Sequence, residues 1–284
     1  MNVEATDACN LSCSSCRSPR GSNYMTAETL DAILQKANPK QVRLHWRGEP
    51  CLHPSLPELA ETAKKRGVEK LWLSTNTAVP LLGDGEYVGR LLSSLDMIEC
   101  SVDGYDQKSL ERYRVGASHR LLMRNLKAIG RAGGDCVKEM RVLMFRYNEG
   151  KEDYYRALAR EHGFQSVSFA QPIINYKTLL SPEEADEWLA RDPKYQRYER
   201  RGGVWLLKRG PCSPHLCVSV HGTAHPCGHD WHLQHGLGNL LEELWGDVLR
   251  RFNALKPDMI ARRLPICGKW CCLPRERVEY RERL

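Results

Sequence analysis

The chain has 284 residues, 42% of them hydrophobic, and a net charge of +7. That length supports one sizeable core and a smaller appendage, and no apolar run is long enough to span a bilayer. The first residues lack the basic-then-apolar pattern of a secretory signal, so the chain reads as cytoplasmic, where its twelve cysteines are metal ligands before they are disulfides.

A strand-like run over residues 3–7 opens the chain. It is followed at once by Cys9, Cys13 and Cys16, a C-x3-C-x2-C arrangement on one short loop. Three thiolates can hold one metal centre and leave a coordination position open for chemistry. The alternative is a zinc site completed by a distant fourth ligand. Thr26 then reads as an N-cap, with Leu30, Ile33, Leu34 and Ala37 on one helical face. A second strand spans 41–47, and Ser55-Leu-Pro-Glu58 is a capping box for a helix that stops at Gly67. Further strands cover 70–76, 97–103, 140–146 and 166–171, with helices over 86–94, 119–132 and 151–161 between them. Six strand–helix units predict an α/β fold, a partial (β/α)6 barrel with a parallel sheet and helices outside.

Alternation along the strands separates two faces. Glu4 and Thr6, Arg43, His45 and Arg47, Ser74 and Asn76, and Glu99, Ser101 and Asp103 lie opposite apolar neighbours. Helices must cover the apolar side, so the polar side faces the barrel interior. An interior of that polarity needs either mutual pairing or a polar ligand, and a substrate and cofactor cavity is the favoured reading. Glu99 and His45 are read as structural groups or polar lining.

The pattern changes after residue 175. Residues 176–209 read as a linker with one helix near 182–190, and residues 210–284 as a small domain held by metal, with six histidines between His215 and His235. Those histidines leave a zinc site open as an alternative. Cys51, Cys100 and Cys136 read as small buried residues, with a hydrogen-donor role for Cys51 the less favoured reading. The positive charge allows an anionic partner, nucleic acid included, but glutamates interrupt basic stretches such as 194–201, which read as solvated surface.

The order of motifs over residues 1–175 resembles the radical S-adenosylmethionine (SAM) superfamily. The cysteine triplet follows the first strand, and Arg47-Gly-Glu-Pro50 after the second is similar to the family's Gly-Gly-Glu-Pro. Ser74-Thr-Asn-Thr77 is similar to its Ser/Thr-x-Asn-Gly, and Ser101-Val-Asp-Gly104 to its Ser-x-Asp-Gly near the SAM ribose. Each lies at a strand C-terminus, the end at which parallel sheets bind ligands. The resemblance implies a [4Fe-4S] cluster on Cys9, Cys13 and Cys16, and SAM contacts at Gly48, Glu49, Ser74, Asn76, Ser101 and Asp103. Two departures stand out. Ser15 replaces the aromatic residue usual before the third cysteine, and Arg47 replaces the first glycine.

The C-terminal region resembles the auxiliary-cluster domains of the SPASM and twitch type. Cys212, nine residues, Gly222, four residues and Cys227 match their opening pattern. Gly238-Asn-Leu-Leu-Glu-Glu-Leu-Trp245 is similar to their helix entry, and Cys267-Gly-Lys-Trp-Cys-Cys272 stands where a C-x2-C pair is usual. The resemblance implies one auxiliary [4Fe-4S] cluster on Cys212, Cys227, Cys267 and Cys271, with Cys272 the alternative to Cys271 and Cys217 structural. It also implies reductive cleavage of SAM to a 5′-deoxyadenosyl radical, hydrogen abstraction from a substrate, and an electron donor such as flavodoxin or ferredoxin.

The chain begins at the first barrel strand, with no precursor-binding domain ahead of it. This favours oxidation or epimerisation of a small metabolite (a sugar, aminocyclitol or nucleotide) over maturation of a peptide. The reading from a different class is a zinc-dependent nucleic-acid-binding or scaffold protein. No general base is assigned, although His229 and Asp230 follow Cys227 and are placed near the barrel mouth.

Overall fold

A computed structural model describes residues 1–174, 179–208, 212, 214–264, 267 and 280–283. In chain order the elements are β1 (Asn2–Val3), α1 (Ala27–Ala37), β2 (Gln41–Arg43), α2 (Leu56–Lys65), β3 (Lys70–Thr75), α3 (Gly85–Ser94) and β4 (Met97–Ser101). Next come α4 (Gln107–Tyr113), α5 (His119–Arg131), β5 (Val137–Leu143), α6 (Glu152–Glu161), β6 (Ser166–Ala170), β7 (Leu179–Leu180) and α7 (Pro182–Trp188). The last are β8 (Tyr198–Arg201), β9 (Val204–Leu207), β10 (Cys217–Val218), β11 (Thr223–His225), β12 (Gly238–Asn239), α8 (Trp245–Ile260) and β13 (Tyr280–Arg283).

Strands β1 to β6 stand side by side in sequence order and parallel, as the six strand–helix units predict. Their outward positions form the core beneath the helices: Val42, Leu44, Leu71, Leu73, Ile98, Cys100, Met140, Val142, Val167 and Phe169 are all fully buried. The helices dock apolar faces onto them, as with Leu30, Ile33 and Leu34 of α1, capped at Thr26 Oγ1 by the Thr29 N–H. Among the described residues no helix is long and apolar enough to cross a membrane.

The first two strands are shorter than the alternation predicts, because their C-terminal ends leave the ladder to form turns. Thr6 Oγ1 donates to Asn23 O at 2.6 Å and accepts the Ala8 N–H at 3.1 Å. Helix α4 has a capping box, Ser109 N to Asp106 Oδ1 and Asp106 N to Ser109 Oγ, that the sequence reading passed over. It packs so tightly on the turn after β4 that a Cβ on Gly104 would stand 2.2 Å from the Leu110 nitrogen, which explains that glycine.

The stretch read as a linker carries more structure than one helix. β7, β9 and β8 form a separate antiparallel sheet, with β8 and β9 joined by Gly202 and Gly203, both at positive φ. Phe145, Ile174, Leu180, Ala185, Leu189, Tyr198 and Leu207 make its own core.

The C-terminal region joins the barrel sheet. β10 pairs parallel with β1, and β11 and β12 extend the sheet antiparallel beyond it. At the other edge β13 pairs antiparallel with β6, and Arg156 holds Glu282 through two hydrogen bonds of 2.5 and 2.7 Å. Arg47 ties the C-terminal strands to the barrel from inside. Its Nε and Nη2 meet both oxygens of Glu4 at 2.6 and 2.8 Å, and its Nη1 donates to Trp231 O at 3.1 Å. Glu4 also accepts the Val220 N–H at 2.9 Å. Both members of the pair are buried, so removing one strands the other's charge. Arg47→Met is expected to cost about 3–5 kcal/mol of stability in urea unfolding. Most of that loss should return in the Glu4→Gln/Arg47→Met double variant.

Candidate active site

The loop carrying the cysteines is fastened on both sides. Ser12 N–H donates to Val115 O and Ser14 N–H to Tyr113 O, at 2.9 and 3.0 Å, so the loop hangs on the segment after α4. On its other flank Asp7 accepts both the backbone and the side-chain N–H of Asn23, at 2.8 and 2.9 Å. Cys9 and Cys13 are half-buried, Cys16 is exposed, and all three are free thiols. Burial pushes Cys9 up to about 11, and its neighbours Cys13 and Cys16 add to the rise. Burial also raises Cys13, against the opposing pull of the Arg114 guanidinium. Three cysteines on one short loop suit a metal centre, whose positive charge would take them as thiolates.

The thiols open on a cavity of about 510 Å³. Gly48, Glu49, Ser74, Asn76, Ser101 and Asp103 all line it, so all nine barrel residues singled out in the sequence share one space. Gly48 has φ +65°, and a Cβ there would stand 2.3 Å from Thr6 O and 2.7 Å from Ala8 O. The chain thus crosses the turn before the cysteines at backbone contact distance, which only glycine permits. Glu49 is held by Thr75 Oγ1 at 2.8 Å, Asn76 N–H at 2.6 Å and Cys51 N–H at 3.0 Å. Burial still pushes its carboxyl above the usual range. Asn76 Nδ2 donates to Asn10 Oδ1 at 3.0 Å, tying the end of β3 to the cysteine loop. Thr77 stands where the family pattern has glycine and takes the left-handed conformation, φ 65°.

Asp103 is fully buried and already engaged. Its Oδ1 accepts the Leu143 N–H at 2.7 Å and its Oδ2 the Arg114 Nε–H at 2.6 Å. Ser74 donates to Glu99 at 2.6 Å and accepts from Arg43, and Arg141 reaches Glu99 at 3.0 Å. Burial pushes Glu99 up, but Arg141, Arg43 and the Ser74 hydrogen bond bring it down to about 2. The polar interior is therefore partly self-paired, with the cavity above that network. Desolvation first, and then Arg43, lower His45 to about 3, so at neutral pH it lines the cavity as an uncharged imidazole.

Sequence reasoning missed Arg114, Arg141, Tyr113 and Trp231 as cavity walls. Alternation along β5 would have placed Arg141 inward; nothing local marks Arg114 or Trp231. Among the described residues no three His, Cys, Asp or Glu side chains converge on a single ion.

In the C-terminal region Cys212 and Cys227 are half-buried and Cys267 is buried, and all three lie outside the cavity lining. Cys271 lies outside the described residues, as does Cys272. Cys227 Sγ accepts the His229 N–H at 3.4 Å. Cys217 is fully buried, accepts from Asn2 Nδ2 at 3.7 Å and lies close enough to Cys227 to feel its charge. His225 Nδ1 meets Asp230 at 2.7 Å, both buried, so Asp230 is committed within its own turn rather than turned to the barrel mouth. Trp231, one residue on, is the member of this segment that lines the cavity. Cys51, Cys100 and Cys136 are buried with raised pKa values, and Cys51 does not line the cavity.

Two outcomes check this geometry. Gly48→Ala is expected to lose more than about 3 kcal/mol in urea unfolding, from left-handed strain plus the backbone clash. His45 binds its proton less readily folded than unfolded, so its contribution is full above pH 6.5 and is lost as pH falls toward 3. His45→Gln should therefore show a shallower fall in unfolding free energy across that window than the parent chain.

Comparison with known proteins agrees with this arrangement. The family model for the radical SAM superfamily matches residues 3–158. A GTP 3′,8-cyclase from Chlorobaculum tepidum is 29% identical over 115 residues, which is 38% of this chain and 34% of that protein. The chain thus matches about a third of the length of this curated relative. Among solved structures, native anSMEcpe with bound AdoMet aligns with TM-score 0.62 at 14% identity, covering 95% of this chain and 87% of that one. BtrN in complex with AdoMet and 2-DOIA aligns at 0.54 and 15% identity, covering 97% and 95%. SuiB of Streptococcus suis bound to S-adenosylmethionine aligns at 0.61 and 15%, covering 87% and 64%. These likenesses are of fold. The family match spans more than half of the 284 residues and takes in the cysteine loop and every barrel motif that meets it in the cavity: the chain belongs to the radical SAM superfamily and is a radical SAM enzyme.

Proposed function

We propose that Cys9, Cys13 and Cys16 hold a [4Fe-4S] cluster and that the cavity beside them binds SAM and a small biosynthetic metabolite (a sugar, aminocyclitol or nucleotide), which the enzyme oxidises or epimerises. When bound and reduced, the cluster supplies the electron that cleaves SAM to a 5′-deoxyadenosyl radical, which takes a hydrogen atom from the substrate. Gly48 brings the end of the second strand against the turn before the cysteines and lines the cavity where the methionyl group would lie. Glu49, oriented by three donors, receives its ammonium, and Asn76 fixes the floor beside it. Ser74 and Ser101 complete the cofactor side, and Asp103, held by Leu143 and Arg114, stands behind them. The walls exclude water and hold the substrate carbon in place.

The observation that carries this reading is the meeting of all nine barrel residues on one polar cavity that Trp231 of the C-terminal region helps to wall. The even, near-full-length match to BtrN, bound to AdoMet and 2-DOIA, supports a small substrate. A second reading, peptide maturation, draws support from the likeness to anSMEcpe with AdoMet and the Cp18Cys peptide, TM-score 0.61 over 95% of this chain. We place one auxiliary [4Fe-4S] cluster on Cys212, Cys227, Cys267 and Cys271, where it would accept an electron from the substrate radical, and assign reduction to flavodoxin or ferredoxin.

Anaerobically reconstituted protein should carry about eight irons per chain, four for each cluster. Reduced with dithionite, it should release 5′-deoxyadenosine from SAM. Cys13→Ala should abolish that release, whereas Cys227→Ala should keep some uncoupled cleavage and lose product formation. Colourless protein containing zinc and leaving SAM intact would overturn the reading.

A further inference from the structure

Asp103 matches the family's ribose-proximal aspartate, yet here its carboxylate is spent on protein groups. One oxygen takes the Leu143 N–H and the other the Arg114 Nε–H. The far end of the same guanidinium reaches the cysteine loop, with Nη1 3.8 Å from Cys13 Sγ. Arg114 is fixed from three further directions. Its backbone N–H caps α4 at Leu110 O, its guanidinium carbon lies 5.3 Å from the centre of the Tyr113 ring, and the loop it touches hangs on the 113–115 carbonyls. The Arg114 side chain is 18% exposed and that of Asp103 not at all, so little solvent screens the pair.

The order in space is anion, cation, sulfur: Asp103 behind, Arg114 between, Cys13 in front. Building on the cluster assignment above, we propose that Arg114, positioned by Asp103, raises the reduction potential of the cluster held by Cys9, Cys13 and Cys16. Reduction adds one electron, from dithionite or a low-potential mediator, with no bond made or broken. A fixed cation against a cluster sulfur, in a poorly screened site, stabilises the more negative state. Asp103 opposes it from farther away and holds it in place. Arg114 is thus a positioning and potential-setting residue, and Asp103 partly compensates it.

The two members must then act in opposite directions, which a merely structural pair would not do. The test is a redox titration followed by electron paramagnetic resonance on the reconstituted full-length chain without SAM, in a Cys227→Ala background so that the signal comes from the barrel cluster. Arg114→Met should lower the ratio of reduced to oxidised cluster at a fixed potential about tenfold, a shift of about 59 mV for a one-electron couple. Asp103→Asn should shift the midpoint upward, and the double variant should lie nearer the parent than Arg114→Met does. Shifts of the same sign, or none, with the cluster intact would overturn the proposal while leaving the assigned function standing. If Arg114→Met takes up no iron, the Asp103→Asn shift decides alone: upward supports the proposal, absent or downward overturns it. A parent chain that forms no iron–sulfur centre would overturn both.

Discussion

The buried ion pair between Glu4 and Arg47 is the interaction on which the arrangement of the two halves depends. Glu4 lies just past the first strand and Arg47 just beyond the second, and between them they hold Val220 and Trp231 of the C-terminal region. A buried pair of this kind adds little net stability over a well-packed apolar one, but it is costly to break. Its effect here is register. It fixes where the segment 220–231 crosses the barrel mouth, and so where Trp231 stands in the cavity wall. The arginine that departs from the family's glycine-rich turn is what makes that fastening possible, while Gly48 beside it retains the close backbone approach.

Charge elsewhere in the interior follows the same logic on a smaller scale. Glu99 is stabilised as a carboxylate by Arg43 and Arg141, and Asp103 by Arg114, so both of these cavity anions have a named cation. Glu49 is different. Its partners are neutral donors, its carboxyl is pushed upward by burial, and it faces the space beside the cysteines. The site is thus already charge-compensated except at the position where a cationic group of a ligand would be received. That contrast distinguishes structural carboxylates from a recognition carboxylate more sharply than burial alone.

Much of the fold was legible because it rests on local pattern. Strict alternation along β2, β3 and β4 showed which residues face inward, and each motif sits at the end of its strand because parallel strands leave their ladders there. The contacts that complete the site were not legible because they join distant positions. Arg114 meets a cysteine 101 residues away, and Arg47 meets a carbonyl 184 residues away. The three-stranded sheet over 179–207 was hidden differently: its β7 is two residues long and its β8 is mostly charged, so neither shows alternation. Only the Gly202-Gly203 pair signals the hairpin. Helix α8 buries Val248, Phe252 and Met259 but interrupts the pattern with Pro257, which concealed its length.

The last described strand gives the barrel sheet a property of its own. β6 would otherwise be an edge whose backbone donors and acceptors face outward unpaired, alongside Val167 and Phe169. β13 covers that edge over Ser166 to Phe169, clipped by Arg156 to Glu282. Proteolytic trimming from the tail would therefore uncover a template for cross-chain pairing, and self-association would set in before the catalytic end of the barrel lost its shape.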